Sequence, residues 1–473
     1  MKNNRREFLK RSGLAGLGLA GGGWLTSATA GDAAGSDISG FTRKKEERFN
    51  MHGYAAPALE RVRIGLIGVG ARGFGALRRL VHIEGVELRA VCDLNPERTE
   101  RARQFLEEEG HHPELFSDGE EEWKRLCERD DIDLVYICTP WHLHTPQGVY
   151  AMEHGKHAVS EIPAALTIEE CWQLVETSEN TRQHFMMLEN VCYDFFEMMT
   201  LNMVRQGFFG EIIHGEGAYI HQLLGSYFSE RRFPDQWRLR QNIDRNGNLY
   251  AQHGLGPIAQ AMDLNYGDQM DYMVSMSSGD FSMGARAREL AEESSFWEPF
   301  VGRNFRGNMN TSMIRTRRGR TIMLQHDTSS PRPYSRIHLV SGTEGIAQKW
   351  PEPAKIATSH DGWLSDEEFR DLEEQFTPEI TRRVGELARQ VGGHGGMDTI
   401  MDWRLIDCLR NGLPLDMNVY DAALWSSVGP LSEWSVANNF NSVSVPDFTG
   451  GAWRTNERSM DINLERGGTT AII

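Results

Sequence analysis

The chain has 473 residues, too long for one small domain and suited to two domains behind a short leader. Its formal charge is −17, with 67 acidic against 50 basic residues, so its surface repels phosphate backbones and argues against nucleic acid as a partner. Past the leader, no apolar run approaches the ~20 residues that a membrane-spanning helix needs. The six cysteines contain no C-x-x-C pair, and Cys92 and Cys138 lie in apolar strand-like runs, so core thiols are expected.

The leader reads as a twin-arginine signal peptide over residues 1–30. Arg5-Arg6 is followed by Phe8-Leu9, a weakly apolar Gly-rich stretch comes next, and Ala28-Thr29-Ala30 has the small-residue pattern of a cleavage site. This route exports folded proteins, which suits an enzyme that loads a cofactor before leaving the cytoplasm. A periplasmic location and contact with the translocation machinery are therefore expected. No Cys follows the cleavage pattern, so no lipid anchor is expected. Residues 31–60 read as a linker or surface arm.

From residue 61 the pattern becomes α/β. Residues 61–67 predict a buried strand, which runs into Gly68-Val69-Gly70-Ala71-Arg72-Gly73 and then a helix. Residues 86–92 predict a second strand ending at Asp93, residues 97–109 a charged surface helix, and residues 134–138 a third strand before Thr139-Pro140. Strands alternating with helices predict a parallel doubly wound sheet over residues 61–185. Thr167-Ile168-Glu169-Glu170 is a capping box, residues 185–188 a short strand, and residues 195–204 a helix. From residue 186 the chain is read as a second, α+β domain. Runs at 212–223, 273–276, 311–316, 321–325 and 335–340 read as strands without intervening helices, predicting a largely antiparallel open sheet covered by C-terminal helices such as 398–409. The charged stretch 366–386 predicts solvated helix interrupted at Pro378.

The glycine loop, placed between strand and helix with Asp93 closing the next strand, is a dinucleotide fingerprint. Gly68 permits the tight turn, Gly70 lets a pyrophosphate approach, and Gly73 lets helix and strand pack. The helix N-terminus offers unpaired N–H groups. Asp93 would accept hydrogen bonds from ribose hydroxyls and repel a 2′-phosphate, favouring NAD, while Arg72 is a nearby cation able to hold that phosphate. His142 and His144 follow a strand with no carboxylate or Cys pattern, so no metal site is expected.

Together with Thr139-Pro140, the segment Gly155-Lys156-His157 and Glu161-Ile162-Pro163, this fingerprint resembles the Gfo/Idh/MocA oxidoreductase superfamily. Its dehydrogenases carry Lys where this chain has Ile162, and an alkyl chain cannot move the substrate's proton. The departures resemble one branch, glycoside hydrolase family 109, the NAD-dependent α-N-acetylgalactosaminidases. The marks are Thr139-Pro140-Trp141-His142-Leu143-His144, Glu161-Ile162-Pro163-Ala164, Met187-Leu188-Glu189-Asn190, Tyr250-Ala251-Gln252-His253 followed by Gly254-Leu255-Gly256-Pro257, and Gly393-His394-Gly395-Gly396-Met397-Asp398.

The resemblance implies hydrolysis of a terminal α-N-acetylgalactosamine by NAD-dependent oxidation at C3, elimination, water addition and re-reduction. Beyond the glycines it implies cofactor contacts at Ala71, Arg72, Asp93, Trp141, His142, Leu143, His144, Glu161, Ile162, Asn190 and Tyr250. It implies substrate contacts at Tyr219, Arg238, Tyr250, Ala251, Gln252, His253 and Tyr334. The family has Pro-Thr where this chain has Ala251-Gln252, a difference in the sugar pocket itself. His253 is the first candidate base because it titrates near neutrality. Tyr250 would share its proton or position the sugar, and Tyr193 is a candidate for a second proton transfer. Arg238 would act as a fixed donor. Glu161 is expected to face the nicotinamide, with a plain salt bridge as the alternative. Two other functions fit the same residues: a net sugar dehydrogenase, and a non-catalytic sugar or nucleotide sensor. A homodimer through the open sheet is expected.

Overall fold

The computed structural model describes residues 49–473, so the expected signal peptide and the expected linker or arm up to residue 48 lie outside the described residues. β1 (Val62–Ile67) forms where Val62, Ile64 and Leu66 alternate with residues that are themselves mostly buried, the mark of a strand covered on both faces. Helix α1 (Ala71–Leu80) follows it, then β2 (Val86–Cys92). β3 (Glu114–Phe116), β4 (Leu134–Ile137), β5 (His157–Ser160) and β6 (Phe185–Met187) complete a six-stranded parallel sheet of order β3-β2-β1-β4-β5-β6. The order reverses between β1 and β4. In sheets of this kind dinucleotides sit at that switch point, beyond the carboxyl ends of both strands. Between β5 and β6 runs α2 (Ile168–Thr181), opened by the predicted capping box on Thr167 and Glu170.

After α3 (Phe195–Arg205) come β7 (Ile212–Ile220) and α4 (Gln252–Ala261). β8 (Met270–Ser277), β9 (Met309–Thr316), β10 (Thr321–Asp327), β11 (Leu339–Gly342), β12 (Ile346–Gln348) and β13 (Lys355–Ala357) follow. Helix α5 (Met397–Asn411), helix α6 (Val419–Ala437) and β14 (Val443–Ser444) complete the fold. The second sheet has order β13-β12-β11-β7-β10-β9-β8-β14 and is antiparallel except for the parallel pair β7–β10. The predicted strand 335–340 is corrected: only Leu339–Gly342 is strand, because Ile337 and His338 take positive φ and break the ladder. The predicted strand 212–223 ends at Ile220. The charged stretch is two helices, Asp366–Phe376 and Glu379–Val391, with Pro378 between them.

Two helices from the C-terminal half bind the sheets together. α5 returns to the parallel sheet, where Asp402 accepts from Arg79 Nε at 2.7 Å and from the Tyr136 hydroxyl at 2.8 Å, all three buried. α6 packs against α2, β6 and β8 and is buried on every side from Val419 to Gly429, so it shows no single apolar face. The six cysteines are free thiols.

His157 and His184, on and beside β5 and β6, are buried with ring centroids 5.0 Å apart. Burial pushes His157 down to about 4 and His184 down to about 3. The unfolded chain therefore binds protons that the folded chain refuses. Stability is full above the ordinary histidine value and falls as pH drops from 6.5 toward 4, by about 1.4 kcal/mol per unit per histidine. Denaturant titrations at pH 7 and pH 5 should show this loss, and His157→Gln should reduce the slope.

Candidate active site

The nucleotide loop is shaped by three contacts. Gly68 has φ +89°, and a Cβ there would lie 2.8 Å from the Cys138 carbonyl. A Cβ on Gly73 would lie 1.9 Å from the Gly68 oxygen, so α1 can pack on the strand end only without a side chain. At Gly70, by contrast, a Cβ would meet nothing nearer than Arg98 Nη1 at 3.7 Å, which leaves the approach open. Gly70 is the N-cap of α1, and no side chain caps that end. Free N–H groups and an open approach are what a pyrophosphate requires. Asp93 at the end of β2 accepts from Val69 N at 3.0 Å and Asn95 N at 2.9 Å, so its first role is to hold the loop. Each carboxylate oxygen keeps a lone pair for a ribose hydroxyl. These residues fit NAD.

Arg72 does not turn toward Asp93. Its Nη2 lies 2.7 Å from Glu161 Oε1 and its Nη1 3.1 Å from Asp398 Oδ2, so it is not placed for a 2′-phosphate. Glu161 is thus engaged as the salt-bridge partner of Arg72, the alternative reading of that residue. Burial works against the Asp398 charge, but His394, Arg72 and Arg79 outweigh it and hold the carboxyl below the usual range. Asp398 also accepts from the Asn190 amide, while Asn190 Oδ1 is buried without a partner. The Gly393–Asp398 motif is in this way a buckle that ties α5 to the nucleotide loop.

Beyond β4, Trp141 is buried and stacks on Tyr250, with ring centroids 5.4 Å apart. His142 is exposed, Leu143 half-buried and Ile162 buried. The His144 side chain is spent on structure: its two ring nitrogens lie 2.7 Å from the Pro163 carbonyl and 2.8 Å from that of Thr139.

The residues expected to contact a sugar converge through glycine. A Cβ on Gly254 would lie 2.4 Å from Ala218 N, and one on Gly217 would lie 2.2 Å from the Gly254 oxygen, so α4 presses directly on β7. That contact puts His253 against Tyr219 at a 5.4 Å ring separation and against Tyr250 at 5.3 Å. Arg238 lies over Tyr250 and Trp141, at 5.1 and 5.2 Å from their centroids, and its Nε is buried without a partner. Burial, opposed by Arg238, pushes Tyr250 up to about 12. Tyr334 stands further out, 37% exposed, against His221, which in turn stacks beside Tyr219. Ala251 is buried; Gln252 reaches the Trp425 carbonyl at 3.3 Å with its Nε2 and leaves Oε1 unpartnered. Gly254→Ala should lift α4 off β7 and lower kcat at least tenfold with NAD content preserved, since a shift of about 1 Å at reacting groups has effects of this size. Steady-state kinetics with cofactor extraction check it.

One expected site residue is not brought here. The Tyr193 hydroxyl is fully buried and points to Asp416 Oδ2 at 3.2 Å, within a network held by Arg404. Burial and Asp416 push that hydroxyl well above the usual tyrosine range. Two residues are added to the site. Glu189 Oε1 lies 2.8 Å from His253 Nδ1, and His221 closes the wall between Tyr219 and Tyr334. A carboxylate just beyond a buried strand is visible in the sequence, but its partner on α4 is not.

Residues 193–455 match the family described as glycosyl hydrolase 109, C-terminal domain, which is more than half of the chain. The chain belongs to glycoside hydrolase family 109. Residues 62–188 match the oxidoreductase family with an NAD-binding Rossmann fold, so this family member carries its glycosidase-family domain on an NAD-binding domain. The α-N-acetylgalactosaminidase of Bacteroides fragilis is 47% identical over 418 residues, covering 87% of this chain and 97% of that protein. The α-N-acetylgalactosaminidase of Shewanella oneidensis is 43% identical over 456 residues, covering 95% and 97%. Among solved structures, levoglucosan dehydrogenase in complex with NADH superposes with a TM-score of 0.62 at 17% identity, covering 82% of this chain and 100% of that one. The scyllo-inositol dehydrogenase of Lactobacillus casei with bound NAD(H) and scyllo-inositol gives 0.58 at 15%, covering 81% and 99%. At these identities the likeness is one of fold. In this family 109 chain, the two matched domains meet at the Trp141–Tyr250 stack, one ring from each.

Proposed function

We propose that this protein is an NAD-dependent α-N-acetylgalactosaminidase that releases a terminal sugar and ends each turnover with its cofactor unchanged. The observation that carries this reading is His253, fixed at Nδ1 and free at Nε2, between Tyr219 and Tyr250 and beside an unpartnered Arg238 Nε. When bound, NAD supplies a hydride acceptor and returns the hydride, the chemistry that the nicotinamide carries and the protein only positions. His253 Nε2 takes a proton from the bound sugar and gives it back. Arg238 donates to a hydroxyl or to the N-acetyl carbonyl, and its always-charged planar group fixes orientation. Tyr219 and Tyr250 wall the ring face, exclude water and, with their hydroxyls neutral, serve as donors. The buried Ile162 side chain can take no proton, which favours hydrolysis over net oxidation.

The reading extends to place and assembly. The Arg5-Arg6 leader and Ala28-Thr29-Ala30 support export of the folded holoprotein to the periplasm by the twin-arginine route. Tyr272, Met276 and Met313 are exposed on one face of the eight-stranded sheet, which supports a homodimer through that face; sedimentation velocity of the mature protein tests it.

The deciding assay uses purified protein without added cofactor and p-nitrophenyl N-acetyl-α-galactosaminide. Release of p-nitrophenol with no net NADH supports the reading. No release, with NADH accumulating when NAD⁺ and free sugars are added, replaces it with a sugar dehydrogenase.

A further inference from the structure

We propose that Glu189 is the positioning residue that sets the tautomer and the basicity of His253; this rests on His253 being the group that moves the proton. Glu189 stands beyond the end of β6 and is fully buried. Its Oε1 accepts from Val191 N at 3.0 Å and lies 2.8 Å from His253 Nδ1, while its Oε2 is buried with no partner. A carboxylate in its charged form only accepts, so opposite it Nδ1 carries the proton and the lone pair is left on Nε2. Among the described residues, no Lys or Arg pairs with Glu189. A buried carboxylate with an orphaned oxygen is unfavourable unless a positive charge can form beside it. That charge is the imidazolium that His253 becomes when Nε2 takes a proton, so Glu189 stabilises the product of the transfer more than its reactant.

A second feature of the fold serves the same pair. A Cβ on Gly256 would lie 2.8 Å from Glu189 Cγ and 3.0 Å from Cys192 Sγ, so a glycine one turn into α4 is what lets the carboxylate reach the ring. Gly254 presses the helix on β7 and Gly256 presses it on Glu189. The other titratable or charged groups around the ring are Tyr219 on β7, Tyr250 ahead of α4, His221, Arg238 and Cys192. Glu161 and Arg72 stand beyond Tyr250, bonded to each other. Glu189 is the carboxylate in contact with the ring.

The test uses the NAD-loaded holoprotein and three variants. Glu189→Gln keeps an acceptor and removes the charge. Glu189→Leu removes both, and Glu189→Asp restores the charge at shorter reach. With p-nitrophenyl N-acetyl-α-galactosaminide, Glu189→Gln should lower kcat about 10²-fold and Glu189→Leu about 10³-fold, the range set by loss of acid–base function, with KM within about threefold of the parent. The acidic limb of the kcat/KM–pH profile should move to lower pH in Glu189→Gln, because the neutral base is no longer opposed by a carboxylate that favours its protonation, and Glu189→Asp should recover part of the shift. Histidine-selective ¹⁵N spectra, with His253 assigned by its own substitution, should show Nδ1 protonated in the parent and a tautomer mixture in Glu189→Leu. A kcat for Glu189→Gln within threefold of the parent, or an unchanged His253 tautomer in Glu189→Leu, would overturn the proposal. If the parent releases no p-nitrophenol, the glycosidase reading falls by itself, and the tautomer comparison still decides what Glu189 does. If Glu189→Leu does not fold, the Gln and Asp profiles decide it.

Discussion

Replacing His253 with alanine lowers kcat about 10³-fold or more, the scale of a lost general base, and leaves NAD content and melting behaviour near those of the parent. The separation follows from the geometry. His253 touches Glu189, Tyr219 and Tyr250, all on the sugar side. The cofactor loop is held by other contacts: Asp93 on Val69, the glycine packing, and Arg72 on Glu161 and Asp398. The measurement is p-nitrophenol release beside quantitation of NAD in the denatured supernatant. Turnover unchanged in the variant would remove His253 from the mechanism, and loss of NAD with turnover would make it a cofactor residue. A non-catalytic sensor predicts no turnover in the parent either, so the same pair of measurements separates that function.

Replacing Arg336 with methionine destabilises the fold by about 3–5 kcal/mol, the range found when one partner of a buried ion cluster is removed. Arg336 Nη2 lies 2.6 Å from Asp194 and 3.0 Å from Glu197, and Lys349 Nζ lies 2.5 Å from Asp194 and 3.4 Å from Glu197. Burial, then the Asp194 charge, pushes the Glu197 carboxyl upward, and Lys349 and Arg336 oppose that push. In the variant Lys349 is left as the one cation on the pair, Glu197 is driven further toward its protonated form, and both carboxyl groups lose a buried donor. Asp194 also caps α3 by accepting from Phe196 N, which spreads the damage to that helix. Arg336 Nη1 lies 3.4 Å from the Tyr334 hydroxyl, so the wall of the sugar pocket loosens as well. Chemical denaturation measures the loss, and a rise in KM larger than the fall in kcat is expected at temperatures where the variant is folded. A change below about 1 kcal/mol, the usual limit for surface ion pairs, would mean that the cluster is solvated.

The parallel sheet was legible because its strands are buried on both faces. Val62–Ile67 and Val86–Cys92 are mostly apolar, broken only by Arg63, Glu87 and Arg89, and a Gly-rich turn between a strand and a helix has the shape that a close phosphate approach requires. The capping box at Thr167 was legible for a similar reason, since both partners lie within four residues. Helix α6 leaves no such trace, because periodicity marks a boundary between core and water and this helix is buried all round from Val419 to Gly429. The strand expected at 335–340 failed because its apolar and polar alternation continues through residues whose backbone turns out of the ladder.

Within the site, the divide falls at the same distance in the chain. The shape of the nucleotide loop was legible from the chain alone, with Gly68 at the tight turn and Gly73 at the helix–strand contact, and so was the segment that carries His253. Long-range packing set Arg72 on Glu161 and Asp398, the Tyr193 hydroxyl on Asp416, and Glu189 on His253. The physical reason is range. A turn, a cap or a buried strand is set by neighbours a few residues away. The partner of a buried charge is set by which helices can approach which strands, here by glycines 217, 254 and 256, whose missing side chains let α4 close on the rest.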